Sequence, residues 1–456
     1  MINNNDDTIS AIATVLGNAG VSIIRLSGEN SLNVINKIFF INKNFKQKDF
    51  LPNSITHGYI FDGKTLIDEV IVLYFKSPNS YTGEDVYEIQ CHGGVNVTKN
   101  ILDLTFKNGA RLAERGEFTK RAFMNGKLDL SQAEAVLDII SAKTKKFAQL
   151  SATNITGKLS EKINKIRDEV ITLLTHIVAA IDFPEEVEEP DYDNIKLKIN
   201  NIIIEIDNIL SGSVNSNIMR MGVKIAIAGK PNVGKSSLFN SILDYDRAIV
   251  TDVAGTTRDI ISENIDIKGI PATIIDTAGI RDIDNDSSAN AIENIGIEYS
   301  KRSINEADVI LFVTDLSEEA TKEDDEIYNL IKDKKHIVIG TKSDLGIKNK
   351  KYNTAINISN ITKTGVEDLI NKLSDLISIN TANDDTEFLT NVRQQESLLK
   401  AKASLQNALN GVENCIEQDF VSIDIKSALM SLGEITGDDI NQEILNNIFN
   451  QFCIGK

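Results

Sequence analysis

The sequence Gly229-Lys230-Pro231-Asn232-Val233-Gly234-Lys235-Ser236 has the spacing G-x-x-x-x-G-K-S. It follows directly on a short apolar run, Lys224–Ala228, and leads into a segment with helical periodicity, Ser237–Leu243. A glycine-rich turn between a strand and a helix lets backbone N–H groups surround phosphates, and the helix N-terminus adds a favourable dipole. The stretch therefore predicts a P-loop in which Lys235 reaches the β- and γ-phosphates and Ser236 holds Mg²⁺.

Residues 223–378 alternate short β-branched runs with amphipathic segments. This alternation predicts a doubly wound, mostly parallel α/β sheet with helices on both faces. The predicted strands are Lys224–Ala228, Thr273–Ile275, Val309–Val313 and Ile337–Gly340. The predicted P-loop comes directly after the first of them.

Two further motifs end strands of this predicted sheet, Asp276-Thr277-Ala278-Gly279 and Thr341-Lys342-Ser343-Asp344. The Asp344 carboxylate can accept hydrogen bonds from the N1–H and N2–H₂ groups of guanine, a pair of donors that adenine lacks. The order of these motifs predicts a GTPase of the translation-factor class. Thr341 stands where most such proteins have Asn, so we expect guanine preference with weaker affinity.

Ser359 and Asn360 are predicted to lie in the last loop that contacts the base. The complete predicted GTP-binding set is Asn232, Val233, Gly234, Lys235, Ser236, Ser237, Thr251, Thr256, Thr257, Asp276, Thr277, Ala278, Gly279, Thr341, Lys342, Asp344, Ser359 and Asn360.

Hydrolysis requires groups that hold Mg²⁺ and position water. Ser236 and Thr257 are predicted to give hydroxyl ligands to Mg²⁺, and Asp276 an outer-sphere contact. Ile280 stands where small regulatory GTPases place the glutamine that orients water. The protein is therefore either a slow switch that needs an activator, or an enzyme that positions the water from elsewhere.

A monovalent cation offers one such solution. The side-chain carbonyl of Asn232 and carbonyls of the loop 251–256 could cage K⁺, which would supply the charge of an arginine finger. Glu293 could orient water through a second water. The alternatives are that Asn232 only stabilises its loop and that Glu293 is a solvated residue at a helix start. The predicted K⁺ ligands are Asn232, Thr251, Val253 and Thr256, and the predicted catalytic residues are Glu293, Lys235, Asp276 and Thr257.

The composition narrows the class of protein. The chain of 456 residues has 48 Lys and Arg against 66 Asp and Glu, a net charge of −18, which disfavours non-specific binding to nucleic acid or anionic membranes. Any RNA contact must come from a local basic patch or a partner. The three cysteines form no C-x-x-C pair, and Cys91 and Cys415 are predicted to be packing residues. The polar N-terminus and the short apolar runs predict a cytoplasmic protein without a membrane segment.

Changes in composition and hydrophobic periodicity along the chain divide it into four predicted segments. Short strands such as Val21–Leu26 and Glu69–Phe75 indicate mixed β and α structure at the N-terminus, and Leu130–Ile209 has helical periodicity around an acidic break at Asp182–Asp193. The simplest architecture is an α/β domain inserted into a helical domain. The predicted segments are 1–120 (N-terminal domain), 121–219 (helical), 220–379 (GTPase) and 380–456 (helical).

Several motifs outside the GTPase segment carry a family resemblance. With them, the chain resembles the MnmE (TrmE) family of tRNA-modification GTPases over nearly its whole length. The motifs are Asp7–Thr14 (DTISAIAT), Gly20–Gly28 (GVSIIRLSG), Tyr81–Asp85 (YTGED), Glu88–Gly94 (EIQCHGG), Arg115–Phe123 (RGEFTKRAF), Gly126–Ala135 (GKLDLSQAEA) and the C-terminal Phe452–Lys456 (FCIGK).

The resemblance implies an N-terminal α+β domain that dimerises and binds a 5-formyltetrahydrofolate-type one-carbon donor. It carries the folate contacts over to Arg25, Glu88, Lys127 and Lys456, and marks Cys453 as a possible reactive thiol. The segment from residue 107 to residue 127 has six basic residues against two acidic ones, a local reversal of the overall charge that suits an anionic ligand.

The resemblance also implies a homodimer that works with an FAD-dependent partner of the MnmG (GidA) type. Together they would build an aminomethyl-type group on C5 of the wobble uridine of certain tRNAs, with K⁺-dependent pairing of the GTPase domains. Two other classes stay open. One is a ribosome-assembly or signalling switch, and the other is a folate-dependent one-carbon transferase with a vestigial GTPase.

Overall fold

The structure is a computed structural model, and it describes residues 7–47, 49–183, 185–187, 191–245, 262–276, 302–352, 356–359, 361–362, 364–377 and 389–456. The chain forms two compact units. Unit 1 comprises Met1–Leu137, Asn154–Ile203 and Glu396–Lys456, and unit 2 comprises Asp138–Thr153 and Ile204–Gln395.

A seven-stranded sheet with the order β3-β4-β5-β6-β2-β1-β7 forms the N-terminal part of unit 1. Its neighbours are antiparallel, except that β1 and β7 are parallel. The strands are β1 Ile9–Ile12, β2 Ala19–Ser27, β3 Phe39–Phe40, β4 Ser54–Asp62, β5 Thr65–Phe75, β6 Val86–Gly93 and β7 Arg111–Leu112.

One face of this sheet is covered by α1 (Ser31–Ile38) and α2 (Val95–Lys107), which bury Ile24, Leu26 and Ile89 against them. Since side chains alternate along a strand, the residues between these point to the opposite face. That face carries Arg25 on β2 and Glu88 on β6, which are directly paired neighbours in the ladder.

The rest of unit 1 is helical. The periodicity predicted around Ile163, Val170 and Ile177 is confirmed, because all three are buried on the helix Lys158–Asp182, which packs against the helix Gln418–Thr436. The helices with residues in unit 1 are α3 Glu117–Met124, α4 Leu130–Ser141, α5 Lys145–Ile155, α6 Lys158–Asp182, α7 Tyr192–Met221, α11 Val392–Glu413, α12 Gln418–Thr436 and α13 Gln442–Phe449. Of these, α4, α5, α7 and α11 also contribute residues to unit 2.

Unit 2 is built on a six-stranded sheet with the order β13-β12-β11-β8-β10-β9. All neighbours are parallel except the hairpin of β9 and β10. The four strands predicted from the sequence are confirmed as β8, β10, β11 and β12. The strands are β8 Val223–Ala228, β9 Ser262–Ile267, β10 Ile270–Asp276, β11 Val309–Asp315, β12 His336–Thr341 and β13 Ile356–Asn357.

Helices cover both faces of this sheet, so the doubly wound α/β architecture is confirmed. One core contains Ile225 and Ile227, and a second core on the other face contains Ile310 and Phe312. The labelled helices confined to unit 2 are α8 Lys235–Tyr245, α9 Lys322–Ile331 and α10 Val366–Ile377. The carboxyl ends of β8, β10, β11 and β12 lie at one edge of the sheet, where ligands bind in such folds.

Two features differ from what the sequence suggested. Edge strand β9 was not predicted, because Ser262-Glu-Asn-Ile-Asp-Ile267 is mostly polar and half of it is exposed. Cys91 is buried as predicted, but Cys415 is exposed in the turn between α11 and α12, where its φ is +50°. The segment boundaries at residues 120, 219 and 379 stay a prediction. No helix of the described ranges is long and apolar enough to cross a membrane.

Candidate functional site

The loop between β8 and α8 has a conformation that needs small or flexible residues. A Cβ atom on Gly229 would lie 2.4 Å from the carbonyl oxygen of Val313 on the neighbouring strand. Asn232 and Gly234 have φ values of +63° and +98°, in the left-handed region that Gly and Asn tolerate best. The chain therefore turns sharply from the strand into the helix, as a P-loop requires.

Lys235 lies over this loop and is 8% exposed. Its Nζ donates to the carbonyl oxygens of Gly229 at 2.7 Å and Lys230 at 2.8 Å. The ammonium group is thus held at the mouth of the loop by two oxygen atoms of the main chain. Both acceptors belong to the loop that the sequence predicts to bind phosphate.

Thr341 is fully buried at the end of β12 and contacts the P-loop directly. Its Oγ1 lies 2.6 Å from the carbonyl oxygen of Val233 and 3.1 Å from that of Thr314. A hydroxyl has one proton to donate, so the shorter contact to Val233 is the stronger hydrogen bond. Thr341 therefore tethers the middle of the P-loop to the strand that leads to the predicted guanine site.

The segments predicted to contact guanine meet at the same edge of the sheet. Asp344 is exposed, and its Oδ1 accepts a hydrogen bond of 2.6 Å from Ser359 Oγ. Lys342, with φ +56°, pairs with Asp315 at 2.6 Å. Burial alone would raise the pKa of Asp315, but hydrogen bonds from Lys342 and Ser317 outweigh it and hold that pKa below its usual value.

Sequence reasoning missed two acidic residues beside this site. Asp315 ends the fully buried strand β11, a position that favours functional polar groups in parallel sheets. Asp324 is completely buried and lies 3.0 Å from the Nζ of Lys230, the second residue of the P-loop. Asp324 also closes a capping box with Thr321 at the start of α9. The acidic start of α9 was the sequence signal for Asp324, and the position after a continuous apolar run was the signal for Asp315.

The other predicted residues of the nucleotide site divide into two groups. Ser236 and Ser237 are exposed in the first turn of α8, and Asp276 ends β10 beside Ile227 of β8, at the P-loop edge of the sheet. Nine predicted residues lie outside the described residues: Thr251, Val253, Thr256, Thr257, Thr277, Ala278, Gly279, Glu293 and Asn360.

A second candidate site lies on the face of the unit 1 sheet opposite to α1 and α2, where Phe118 packs over Ile9 and Ala11. Arg25 Nε donates to Glu88 Oε1 at 2.8 Å, and both side chains are about 15% exposed. The Arg25 guanidinium lies 5.4 Å from the ring centroid of Tyr81 and 5.6 Å from that of Phe118. Burial raises the pKa of Tyr81, so its hydroxyl stays neutral and contacts Thr119 Oγ1 at 2.9 Å. The two rings and Glu88 fix one orientation of the guanidinium.

The C-terminal tail reaches the same region. The main-chain oxygens of Cys453 and Lys456 accept hydrogen bonds from the N–H groups of Gly116 and Phe118. The structure thus brings Lys456 next to Phe118, which contacts Arg25. Cys453 is exposed. Lys127 lies over the loop that carries Tyr81, and its Nζ donates to the carbonyl oxygen of Pro78 at 3.0 Å.

A buried ionic network supports this site and was not predicted. Arg121, 5% exposed, pairs with Asp7 at 2.7 Å and with Glu84 and Glu117 at 3.1 Å, and Arg111 also pairs with Asp7 and Glu117. Burial alone would raise the pKa values of Asp7 and Glu117. The hydrogen bonds from the arginines outweigh burial and lower both pKa values. All but Arg111 lie within the motifs that carried the family resemblance.

This network changes the interpretation of the basic segment from residue 107 to residue 127. The charges of Arg111 and Arg121 are neutralised inside the network, and Lys107 pairs with Asp62 at 3.2 Å. The local excess of positive charge therefore serves the fold at these three positions, and their charges are not free for an anionic ligand.

The doubly wound sheet, the P-loop with Lys235 and the Asp344 loop define the class of the protein as a P-loop GTPase. Two family models match the chain: "GTP-binding protein TrmE N-terminus" over residues 8–127 and "MnmE helical domain" over residues 130–453. The chain belongs to the MnmE family of tRNA modification GTPases, and it is a GTP hydrolase.

Two relatives, each named "tRNA modification GTPase MnmE", match almost end to end. The protein of Clostridioides difficile (strain 630) is 44% identical over 461 residues, and that of Thermoanaerobacter pseudethanolicus is 45% identical over 467 residues. Both matches cover 99% of this chain and 99% of the relative. A solved structure of an Era variant from Aquifex aeolicus is similar at a TM-score of 0.28 with 27% identity, and covers 40% of this chain and 66% of that one.

Proposed function

We propose that this GTPase modifies C5 of the wobble uridine of certain tRNAs in the cytoplasm, together with an FAD-dependent partner of the MnmG (GidA) type. The added group would be of the aminomethyl or carboxymethylaminomethyl type, with a tetrahydrofolate as one-carbon donor. The observation that carries this proposal is that relatives named for tRNA modification match 99% of the chain, across both candidate sites.

The residues at the P-loop suit GTP and Mg²⁺. Lys235 would exchange the carbonyl oxygens of Gly229 and Lys230 for phosphate oxygens, and the Thr341 tether would keep the loop in place meanwhile. The exposed Ser236 hydroxyl and the Asp276 carboxylate lie at the same edge of the sheet, and oxygen ligands are those that Mg²⁺ prefers. Ser236 and Thr257 would hold the ion and Asp276 would contact it through the outer sphere; the ion supplies positive charge on the phosphates.

The position of Asn232 supports the proposal of K⁺-dependent activation. Its left-handed backbone at the tip of the P-loop and its exposed side chain leave the amide oxygen available as a cation ligand, alongside Thr251, Val253 and Thr256. The bound K⁺ would order the loop, promote pairing of two GTPase domains and supply charge at the β–γ bridge, while Glu293 orients the water.

The test is GTP turnover with Mg²⁺ in KCl and in NaCl at equal ionic strength, with Asn232→Ala and with Asn240→Ala as a control in the exposed part of α8. We expect activation by K⁺ that Asn232→Ala loses and Asn240→Ala keeps. Equal, slow turnover of the wild type in both salts would contradict the cation mechanism.

The Arg25 site suits a folate. Glu88 can accept hydrogen bonds from the N–H and amino groups of a pterin, and Arg25, Lys127 and Lys456 suit the anionic parts of the ligand. The aromatic rings of Tyr81 and Phe118 add apolar surface beside the guanidinium. When bound, the tetrahydrofolate supplies the one-carbon unit.

Calorimetry with 5-formyltetrahydrofolate tests this site. We expect Arg25→Met to bind at least about tenfold more weakly, since hydrogen bonds to charged groups contribute about 1.5–3 kcal/mol. Arg302→Met, an exposed arginine of unit 2, should bind as the wild type does. A wild-type protein that binds no folate would favour the ribosome-assembly or signalling switch.

The exposed part of the same sheet face supports a homodimer. Ile55 on β4 and Ile71 on the neighbouring β5 are 70% and 39% exposed, and Val21 on β2, beyond β6, is 53% exposed. Apolar residues exposed together on one surface are typical of an interface. Ile55→Glu with Ile71→Glu should convert the dimer to a monomer in sedimentation experiments, and Leu51→Glu, outside the strands, should not.

A further inference from the structure

Four lysines of unit 2 come together where the start of α5 meets the turn between β9 and β10. Thr144 Oγ1 donates to the carbonyl oxygen of Gly269 at 3.0 Å and accepts from the N–H of Phe147 at 3.2 Å. The stem of Lys146 packs against Gly269, where an added Cβ would lie 2.9 Å from its Cδ. Three exposed or half-exposed lysines therefore lie beside the exposed lysine of the turn. The four are Lys143, Lys145, Lys146 and Lys268.

The positive charge of this patch is opposite to the net charge of the chain and to the charge that is favoured at a helix N-terminus. The net charge of the protein is −18, and helix N-termini favour acidic residues because of the helix dipole. The first turn of α5 has no acidic residue and contains Lys145 and Lys146. Like charges next to the positive end of a helix reduce stability, so packing of the fold gives no reason for this arrangement.

Two acidic residues near the patch in sequence, Asp266 and Asp138, have other partners. Asp266 accepts a hydrogen bond from the N–H of Gly269 within the turn, and the buried Asp138 pairs with Arg220 at 3.2 Å. The ion pairs among the described ranges include none of the four lysines. The patch thus presents the exposed ammonium groups of Lys143, Lys145 and Lys268 and the half-exposed Lys146, with Asp266 in the same turn as Lys268.

We infer that this basic patch binds the phosphodiester backbone of RNA. Lysine ammonium groups spread over a surface, with no enclosed pocket, suit a polymer of phosphates, because each lysine can contact a different phosphate. A chain of such negative net charge needs a local positive surface to hold RNA. The choice of RNA over an acidic protein rests on the proposed function, in which the substrate is a tRNA.

The position of the patch permits a clean test. The turn 268–269 precedes β10, whereas the P-loop follows the parallel strand β8. The patch therefore lies at the amino ends of these strands and the nucleotide site at their carboxyl ends. Replacing the lysines should therefore leave GTP turnover within about twofold of the wild type, which shows that unit 2 remains folded.

The experiment measures binding of a labelled, unmodified tRNA to the full-length protein by fluorescence anisotropy over a range of KCl concentrations. One variant replaces the patch by Lys143→Ala, Lys145→Ala, Lys146→Ala and Lys268→Ala, and a second replaces the same four by Arg. The matched control replaces four exposed lysines elsewhere on unit 2, Lys322, Lys332, Lys335 and Lys372, by Ala.

We expect the patch variant to bind tRNA more than about tenfold more weakly near 0.1 M salt. The slope of log K against log[KCl] should fall by about 0.7–0.9 for each phosphate that a lysine no longer neutralises. The Arg variant should restore binding, and the control should stay within about twofold. A patch variant that binds like the control, or a wild-type chain that does not bind tRNA by itself, would overturn the inference.

A wobble-uridine modification assay on the same proteins separates this inference from the proposed function. If the wild type modifies tRNA but the patch variant binds tRNA normally, the inference about the patch is wrong and the proposed function stands. If tRNA binding depends on the patch but no protein modifies tRNA, the proposed function is wrong and the inference about the patch stands. Loss of modification by a variant that still binds tRNA normally would show that the patch meets an acidic protein partner, and would overturn the assignment to RNA.

Discussion

The two candidate sites are built in different ways. The nucleotide site takes its central groups from consecutive residues of one loop, where the glycine spacing fixes the backbone and Lys235 lies over it. The Arg25 site takes side chains from β2, β6, the Tyr81 loop, α3 and the C-terminal tail. A site made by backbone geometry is visible in one short motif, whereas a site made by packing is visible only when the fold is known.

We expect the largest effect from a change in the buried ionic network that supports the Arg25 site. Arg121→Met leaves the carboxylates of Asp7, Glu84 and Glu117 without their central partner, and removing one member of a buried ion pair costs about 3–5 kcal/mol. Calorimetric unfolding should show this loss in the transition of the N-terminal segment. Lys107→Met, which breaks the exposed pair with Asp62, should cost less than about 1 kcal/mol.

The same variant has a distinctive pH dependence. The pKa values of Asp7 and Glu117 are lowered in the folded protein, so their stabilising effect is complete above the unfolded pKa values near 4 and is lost as the pH falls further. The wild type and Arg121→Met should therefore differ most at neutral pH and converge towards pH 3. A constant difference from pH 7 to pH 3 would contradict the network.

GTP turnover at the P-loop should depend on the single side chain of Lys235. Lys235→Ala removes the ammonium group that compensates charge on the transferred phosphate, and losses of this kind reduce turnover by about 100- to 1000-fold. Lys332→Ala, an exposed lysine of the same unit, should hydrolyse GTP as the wild type does. A Lys235→Ala protein with more than about a tenth of wild-type turnover would show that the loop alone suffices.

Thr341→Val tests whether the P-loop needs support from outside its motif. The change keeps the shape of the side chain but leaves the Val233 carbonyl without its donor, at about 1–3 kcal/mol. The KM for GTP should rise about 5- to 50-fold, and the preference for GTP over ATP should persist because Asp344 is unchanged. Thr341→Ser keeps the hydroxyl and should restore most of the affinity. A valine variant with wild-type KM would show that the Thr341 hydrogen bond does not contribute to GTP binding.

The smallest expected effect concerns the orientation of Asp344. Ser359→Ala removes one hydrogen bond to an exposed carboxylate, which water can partly replace, so the Kd for GDP should rise about two- to tenfold. Ser359→Thr keeps the hydroxyl and should bind nearly as the wild type does. Fluorescence titration with a labelled GDP measures both Kd values. Equal weakening in the two variants would show that the packing of residue 359, and not its hydrogen bond to Asp344, determines the affinity.

Much of the fold followed from local pattern. The four β-branched runs became strands because buried parallel strands need continuous apolar residues, and the apolar spacing around Val170 became one face of α6. The polar edge strand β9 escaped prediction because an exposed edge needs no apolar run. Cys415 was predicted to pack, but it lies in a turn that places its side chain in solvent.

The candidate sites were predictable to different depths. The P-loop turn needed only its spacing, but the Thr341 and Lys230 contacts depend on which strand and helix lie next to the loop. The Arg25 and Glu88 pairing needed the register of β2 and β6, and the Asp7 and Arg121 network joins residues far apart in the chain. The assigned ligand contacts, including those of Glu293 and the K⁺ ligands, stay predictions.

The most direct test of the account is whether one reaction needs both sites. Purified protein is incubated with the flavoprotein partner, GTP, Mg²⁺, K⁺, the folate, glycine or ammonium as the amine donor and an unmodified tRNA, and the tRNA nucleosides are analysed by mass spectrometry. We expect a modified wobble uridine with the wild type. We expect a loss of more than about tenfold in rate with Lys235→Ala, which still binds folate, and with Arg25→Met, which still hydrolyses GTP. Modification by Lys235→Ala at the wild-type rate would show instead a folate-dependent transferase that does not use its GTPase.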